Sequence, residues 1–151
     1  MSDLKTDIAK QLSEEQSKYT YFLLAAAASC IALSIQRTTG STVSWWDVPL
    51  GIAVIFWGAS FWSGCYNRAY HSTTLYANVA FLQLADGTHD NQPSHPDAVR
   101  AAMEGVRAAA DQNSTSANRW GKRQFRMLIA GALFFIGWHV IGMVTQHPTP
   151  K

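Results

Sequence analysis

The sequence predicts an all-α fold: a polytopic membrane protein with three transmembrane helices and a cytoplasmic helical hairpin between the second and the third. Two observations lead to this prediction. Asp, Glu, Lys and Arg are absent from residues 19–36, 48–67 and 127–150, intervals of 18, 20 and 24 residues. Each is about as long as a helix needs to cross ~30 Å of hydrocarbon. With 151 residues, the chain also has too little polar structure to hide three such helices in a soluble core.

The first element is predicted as a cytoplasmic amphipathic helix over residues 1–18, because Leu4, Ile8 and Leu12 recur every four residues. Its acidic residues argue against a cleaved signal peptide, which needs a short basic head. Transmembrane helix 1 follows at residues 19–36. Its six strongly apolar residues make insertion marginal, so we expect this span to be stabilised by packing on neighbouring helices.

An outside loop, residues 37–47, precedes transmembrane helix 2 at residues 48–66. Transmembrane helix 3 covers residues 125–145 and is followed by an outside tail, residues 146–151. The nine strongly apolar residues of the third span give an insertion free energy of roughly −3 to −5 kcal/mol. Two pairs of small residues, each separated by four positions, predict close contacts between helices. The alternative is that this spacing occurs by chance. These pairs are Ala25 with Ser29 and Ser60 with Gly64.

The positive charges predict the orientation. Ten of the 12 Lys and Arg residues lie in residues 1–18 or between the second and third spans, which leaves Arg37 and Lys151 for the other side. Loops rich in Lys and Arg stay in the cytoplasm, so we expect a cytoplasmic N-terminus and an outside C-terminus. Aromatic residues that favour the headgroup level lie near the predicted ends of the spans: Tyr19, Tyr21, Trp45, Trp46, Tyr66 and Trp120.

The predicted cytoplasmic hairpin covers residues 67–124. Leu75, Val79 and Leu82 indicate an amphipathic helix that continues from the second span and stops at Gly87. Pro96 opens the next helix. One face of that helix carries the apolar residues Val99, Met103, Val106 and Ala110. A polar break at residues 111–116 is predicted to cap a last helix that runs into the third span.

The apolar faces of this hairpin are too narrow for an independent core, since a segment of about 60 residues buries little surface. They are predicted to pack on each other, on the N-terminal helix or on other copies of the chain. We therefore expect a homo-oligomer, with the number of subunits left open.

No motif for standard catalysis occurs in the sequence, whether a glycine-rich phosphate loop, a paired-cysteine metal motif or a nucleophile elbow. We expect no enzyme, cofactor, metal site or nucleic-acid partner. The spans contain no acidic residue, which argues against a proton-coupled pump. Polar residues predicted to line a pore or form helix contacts are Ser29, Ser60, Ser63, Asn67 and His139. The alternative for the serines is a hydrogen bond to neighbouring backbone. The alternative for His139 is a position near the outer interface of the membrane.

Four cations cluster just before the third span: Arg119, Lys122, Arg123 and Arg126. They are predicted to contact anionic lipid headgroups or an anionic cytosolic ligand. The alternative is that these charges only set the topology.

From Lys18 to Leu84 the sequence resembles a set of small uncharacterised bacterial inner-membrane proteins. The resemblance lies in Tyr-Phe-Leu-Leu-Ala-Ala-Ala-Ala at 21–28, Phe-Trp-Ser-Gly-Cys at 61–65 and Leu-Tyr-Ala-Asn at 75–78. It implies a bacterial inner membrane and no assigned activity.

Two functions fit these features. The first is a homo-oligomeric protein whose spans form or gate a path through the bilayer and whose cytoplasmic hairpin receives a signal or partner. Small pore-forming effectors of bacterial or phage origin have this size and layout, a link by analogy alone. The second is a non-conducting membrane anchor or accessory subunit that docks a cytosolic partner protein.

Overall fold

The computed structural model describes residues 2–40 and 44–145, and for residues 2–10, 12, 13 and 145 it describes the backbone alone. Helix accounts for 91% of the structure, and the described ranges contain no strand. This confirms the all-α prediction. The predicted outside tail at 146–151 and residues 41–43 of the predicted outside loop lie outside the described residues.

Three long helices make up the fold. Helix α1 runs from Ser2 to Thr38, α2 from Val48 to Asp86 and α3 from Pro96 to Thr145, with lengths of 37, 39 and 50 residues. A short 3-10 turn at Trp45–Asp47 precedes α2. All three helices are long and apolar enough to cross a membrane, as predicted.

The helix ends follow from local sequence. Before α2, the backbone N–H of Ser44 donates to Asp47 Oδ2 at 2.9 Å, which closes the preceding turn. Helix α2 ends where Gly87 adopts a φ of +72°, a left-handed conformation that favours glycine. Helix α3 begins at Pro96, with Asp97 in its first turn. The predictions that Gly87 stops one helix and Pro96 starts the next are confirmed.

The predicted polar break at residues 111–116 is wrong, because α3 continues through it without interruption. The polar residues there lower helix propensity by only a few tenths of a kcal/mol each, and the stretch contains no Gly or Pro. Ala110 before it and Ala117 after it are both buried. Their packing outweighs the weak local preference for a turn.

The chain divides into two compact units. Unit 1 comprises Met1–Gly64 and Lys122–Lys151, and unit 2 comprises Cys65–Gly121. The buried residues of unit 1 on α1 and α2 recur at intervals of three and four, the spacing of a packed helix face. They include Leu23 and Ala27 on α1 and Leu50, Ala53, Trp57 and Ser60 on α2. Helices α1 and α2 run antiparallel in unit 1: the end of α1 and the start of α2 line one cavity of about 330 Å³ near Thr38 and Leu50, and Leu24, earlier in α1, lies beside Gly64, later in α2.

In unit 2, α2 packs with a face that differs from the one the apolar pattern suggested. The inward residues are Thr74, Ala77, Phe81 and Leu84, again three and four apart. Phe81 and Ala77 line a cavity of about 310 Å³ together with Val106 and Ala110 of α3. The face formed by Leu75, Val79 and Leu82 stays outside this contact. Small inward residues such as Ala77 let the two helices approach more closely than the larger residues would allow.

Candidate functional site

The contact between α2 and α3 in unit 1 is held by two hydrogen bonds from side chains to backbone. Ser60, 0% exposed, donates its hydroxyl to the carbonyl oxygen of Gln124 at 2.8 Å. Trp57 donates its indole Nε1–H to the carbonyl oxygen of Leu128 at 3.3 Å. Such bonds between membrane helices contribute about 0.6 kcal/mol on average. Trp57 precedes Ser60 by three residues on α2, whereas the acceptor of Trp57 follows the acceptor of Ser60 by four residues on α3. The two helices therefore run antiparallel in a fixed register.

Two glycines allow the helices of unit 1 to approach closely. A Cβ on Gly131 would lie 2.6 Å from both Cδ1 and Nε1 of Trp57 and 3.0 Å from the backbone oxygen of Ala53. A Cβ on Gly64 would lie 2.6 Å from Gln124 Nε2 and 2.7 Å from Leu24 Cδ2. The absence of a side chain at these two positions is therefore a steric condition for this packing.

Aromatic rings extend the same contact toward the C-terminal part of α3. Phe56 stacks on Phe134 with centroids 5.5 Å apart and an interplanar angle of 15°. Trp57 and Phe135 meet at 5.6 Å in a tilted arrangement. Pairs of this kind contribute about 0.5–1.5 kcal/mol beyond the area they bury. The indole of Trp57 thus combines a hydrogen bond, a ring contact and the close approach of Gly131.

Gln124 is a buried polar residue that the sequence analysis missed. Its side chain is 1% exposed, and its Nε2 has no hydrogen-bond partner among the described residues. A sequence signal did exist: Ala110, Ala117, Gln124 and Gly131 are spaced seven apart, and all four are buried. A seven-residue repeat marks the contact line of a helix that packs in a left-handed coil. One polar residue on such a line specifies the register of the helices at a cost in stability.

Unit 2 has its own polar contact. Asn67 donates its side-chain amide to the carbonyl oxygen of Ala117 at 2.6 Å, and both residues are buried. The rings of Tyr66 and Trp120 stack with centroids 4.9 Å apart and an interplanar angle of 19°. Both aromatic residues were predicted at the same membrane boundary, and the structure brings them into direct contact.

The predicted pore or helix-contact residues fall into two groups. Ser60, Ser63 and Asn67 are buried and use their polar groups inside the chain; Ser63 donates to the carbonyl oxygen of Ala59 at 2.7 Å. Ser29 and His139 are exposed on α1 and α3. The structure therefore joins Ser60 to Gln124 and Asn67 to Ala117, and it leaves Ser29 and His139 on outer surfaces.

The predicted cationic residues Arg119, Lys122, Arg123 and Arg126 are all exposed on α3. Among the described side chains, ion pairs join Lys18 to Glu15 at 3.2 Å and Arg100 to Asp97 at 4.0 Å. The described part of the chain does not contain three or more His, Cys, Asp or Glu side chains placed to hold a metal ion.

The exposed helix faces of the described chain include one on α1 and one on the second half of α2. The α1 small face consists of Ala25, Ser29 and Ala32, all exposed at intervals of four and three residues. The α2 apolar face consists of Leu75, Val79 and Leu82, which are 57%, 52% and 60% exposed. Both faces have the spacing of a helix contact and are exposed in the described part of the chain.

Comparisons with known proteins add no relative. No protein family model matches this chain, and neither the curated proteins nor the solved structures yield a match.

Proposed function

We propose that the chain is one subunit of a homo-oligomeric bacterial inner-membrane protein whose spans form or gate a path through the bilayer. In this proposal the N-terminus is cytoplasmic, the C-terminus is outside, and the cytoplasmic hairpin at residues 67–124 receives a signal or a partner. The observation that supports it best is the α2 apolar face, which stays exposed on a segment that the charge pattern assigns to the cytoplasm.

An exposed apolar face on this segment favours association. Full burial of a Val or Leu side chain contributes about 1.5–3 kcal/mol. Because Leu75, Val79 and Leu82 are each a little more than half exposed, covering all three contributes roughly 2–5 kcal/mol per subunit. This gain is repeated at every contact of a symmetric oligomer, which makes a second copy of the chain a suitable partner.

An exposed face of α3 in unit 2 complements the α2 apolar face in size. Ala101, Gly105 and Ala108 are exposed at intervals of four and three residues, and a Cβ on Gly105 would meet nothing within 4 Å. Large side chains of one helix fit the shallow surface left by small residues on another. Contact between the α2 apolar face of one subunit and this small face of the next is head-to-tail, and in this proposal its rotation closes to give a ring rather than a two-fold dimer.

Within the membrane, the α1 small face is the surface at which neighbouring subunits meet in this proposal. The first span inserts only marginally by itself, and its small residues Ala25, Ser29 and Ala32 are exposed. In a ring of subunits this face either contacts the next copy closely or lines the path with small side chains. Ser29 supplies the polar group on this face.

Native mass measurement in mild detergent tests the assembly. The wild type is expected at a multiple of 16.7 kDa. Leu75→Glu/Leu82→Glu places two carboxylates in the α2 apolar face and should reduce the mass to one subunit. Thr73→Glu/Gln83→Glu adds the same charge at exposed positions outside that face and should leave the oligomer intact. A monomeric wild type, or an oligomer that both double variants leave unchanged, contradicts the proposal.

Current recordings in lipid test the path. The wild type and the Thr73→Glu/Gln83→Glu control should conduct, whereas the Leu75→Glu/Leu82→Glu variant should not. A wild-type oligomer that is intact but passes no current would refute the conducting function. That result would not contradict the proposed assembly.

A second candidate function is a non-conducting membrane anchor or accessory subunit that docks a cytosolic partner protein. One observation favours it: Ser60, Ser63 and Asn67 use their polar groups inside the chain, so they are not free to line a path. In this alternative the α2 apolar face binds the partner protein. A stable complex with a second protein in mild detergent, together with the absence of current in lipid, would favour it.

A further inference from the structure

We infer that the cationic face formed by Lys122 and Arg126 of α3 binds the phosphate group of an anionic phospholipid. The outward face of α3 changes character at this point. Lys122 and Arg126 are followed, at intervals of three and four residues, by exposed apolar side chains. These are Ile129, Leu133, Ile136 and Val140. The helix thus presents cations and then hydrocarbon on one continuous surface, as a phospholipid presents a phosphate and then acyl chains.

The packing of unit 1 places these cations at the depth of the lipid headgroups. The close approach of Gly64 to both Leu24 and Gln124 puts those two residues at the same level. Leu24 is five residues, roughly 7 Å, along α1 from Tyr19, where the charge-free stretch begins. The interfacial layer is about 5–8 Å thick on each side of a bilayer. With Tyr19 at the headgroup level, Lys122 and Arg126 beside Gln124 lie within about two helical turns of that level, a distance that their long side chains span by extending toward the headgroups.

The part of α3 around Lys122 and Arg126 contains no acidic side chain. From Gln112 to Thr145, α3 contains no Asp or Glu. Lys122 and Arg126 form no ion pair with any side chain that the structure describes, and both are exposed. Each positive charge close to an anionic membrane surface contributes about 1 kcal/mol to binding. Long basic side chains also extend their charged ends toward the headgroups while their stems stay on apolar surface.

A lipid fits this surface better than a free anion does. A free phosphate would use only the cations, whereas a phospholipid also covers Ile129 and Leu133 with its acyl chains. The inference rests on the membrane placement within the proposed function, but it requires neither an oligomer nor a conducting path. Its failure is therefore distinguishable from the failure of the proposed assembly.

Native mass spectrometry of the full chain in mild detergent tests the inference by counting bound lipids. Phosphatidylglycerol and phosphatidylcholine with identical acyl chains are added at graded concentrations. The wild type should bind phosphatidylglycerol more tightly. Lys122→Gln/Arg126→Gln should weaken that binding at least tenfold. Arg100→Gln/Arg107→Gln removes two cations from the same helix at a distance from this face and should leave the binding unchanged.

A charge-conserving variant and a competing ion complete the test. Lys122→Arg/Arg126→Lys should retain phosphatidylglycerol, which separates loss of charge from loss of folding. Sodium phosphate at constant ionic strength should not displace the lipid. Equal binding of the two lipids by the wild type, equal loss in the two glutamine variants, or displacement by inorganic phosphate would each overturn the inference.

Discussion

Replacement of Gly131 by alanine tests the helix packing of unit 1 most sharply. The added methyl group would lie 2.6 Å from two atoms of the Trp57 ring and 3.0 Å from the backbone oxygen of Ala53. An indole ring is rigid and backbone cannot rotate away, so α2 and α3 must move apart. That movement weakens the hydrogen bond from Trp57 to the carbonyl oxygen of Leu128, now 3.3 Å long.

The magnitude follows from three contributions. Overpacking of a close contact costs about 1–3 kcal/mol. Loss of the Trp57 hydrogen bond costs about 0.5–1.5 kcal/mol. Alanine in place of glycine within a helix stabilises it by about 0.5–1 kcal/mol. We therefore expect Gly131→Ala to lower the free energy of unfolding by roughly 0.5–4 kcal/mol, with a central value of about 2 kcal/mol. Gly137→Ala, on the same helix with nothing within 4 Å, should raise it by about 0.5–1 kcal/mol.

Unfolding by sodium dodecyl sulfate in mixed micelles measures both changes, with far-ultraviolet circular dichroism and tryptophan fluorescence as readouts. Trp57→Leu provides a further check, because it removes the ring that the new methyl group meets. Gly131→Ala and Trp57→Leu together should therefore cost about 1 kcal/mol less than the sum of their separate effects. Equal stabilities of Gly131→Ala and Gly137→Ala would refute the close approach of α2 and α3 at this position.

Three further predictions concern single contacts, and the same unfolding assay measures each of them. Ser60→Ala removes the hydroxyl that donates to the carbonyl oxygen of Gln124 and should destabilise the protein by about 0.6 kcal/mol; no loss would show that this bond contributes nothing. Alanine replacements of Tyr66 and Trp120 should show a coupling energy of about 0.5–1.5 kcal/mol in a double-mutant cycle, whereas strictly additive effects would contradict their stacking. Gly87→Ala should cost about 1–2 kcal/mol because of its φ of +72°, whereas Gly58→Ala, inside α2 with nothing within 4 Å, should be neutral or stabilising, so equal effects would contradict the left-handed turn.

Features of this fold that depend on local chemistry could be predicted from the sequence. The charge-free intervals identified three helices long enough to cross a membrane. Gly87 and Pro96 marked helix ends, because the conformations they favour are set by their own covalent structure. The local preference of residues 111–116 for a turn did not decide their structure. The buried residues Ala110 and Ala117 on either side keep this polar stretch helical.

Features that depend on contacts between distant residues could not be predicted in the same way. Leu75 and Val79 have the spacing of a packing face, but the contact with α3 uses the neighbouring face of Thr74, Ala77, Phe81 and Leu84. Gln124 gave no local sign of burial, because its environment is created by Gly64 and Ser60 on another helix. The seven-residue spacing from Ala110 to Gly131 places Gln124 on the buried line of α3. A search for the helical period of 3.6 residues does not single out this position.

Labelling of single cysteines with a membrane-impermeant maleimide tests the central claim, three crossings with the N-terminus in the cytoplasm. In a chain that carries Cys30→Ser and Cys65→Ser, one cysteine is introduced at a time as Ser2→Cys, Ser44→Cys or Thr149→Cys. Intact cells from which the outer membrane has been removed should label the variants at positions 44 and 149, and the variant at position 2 only after permeabilisation. Equal accessibility of positions 2 and 149 in intact cells, or recovery of the protein in the soluble fraction, would contradict the account.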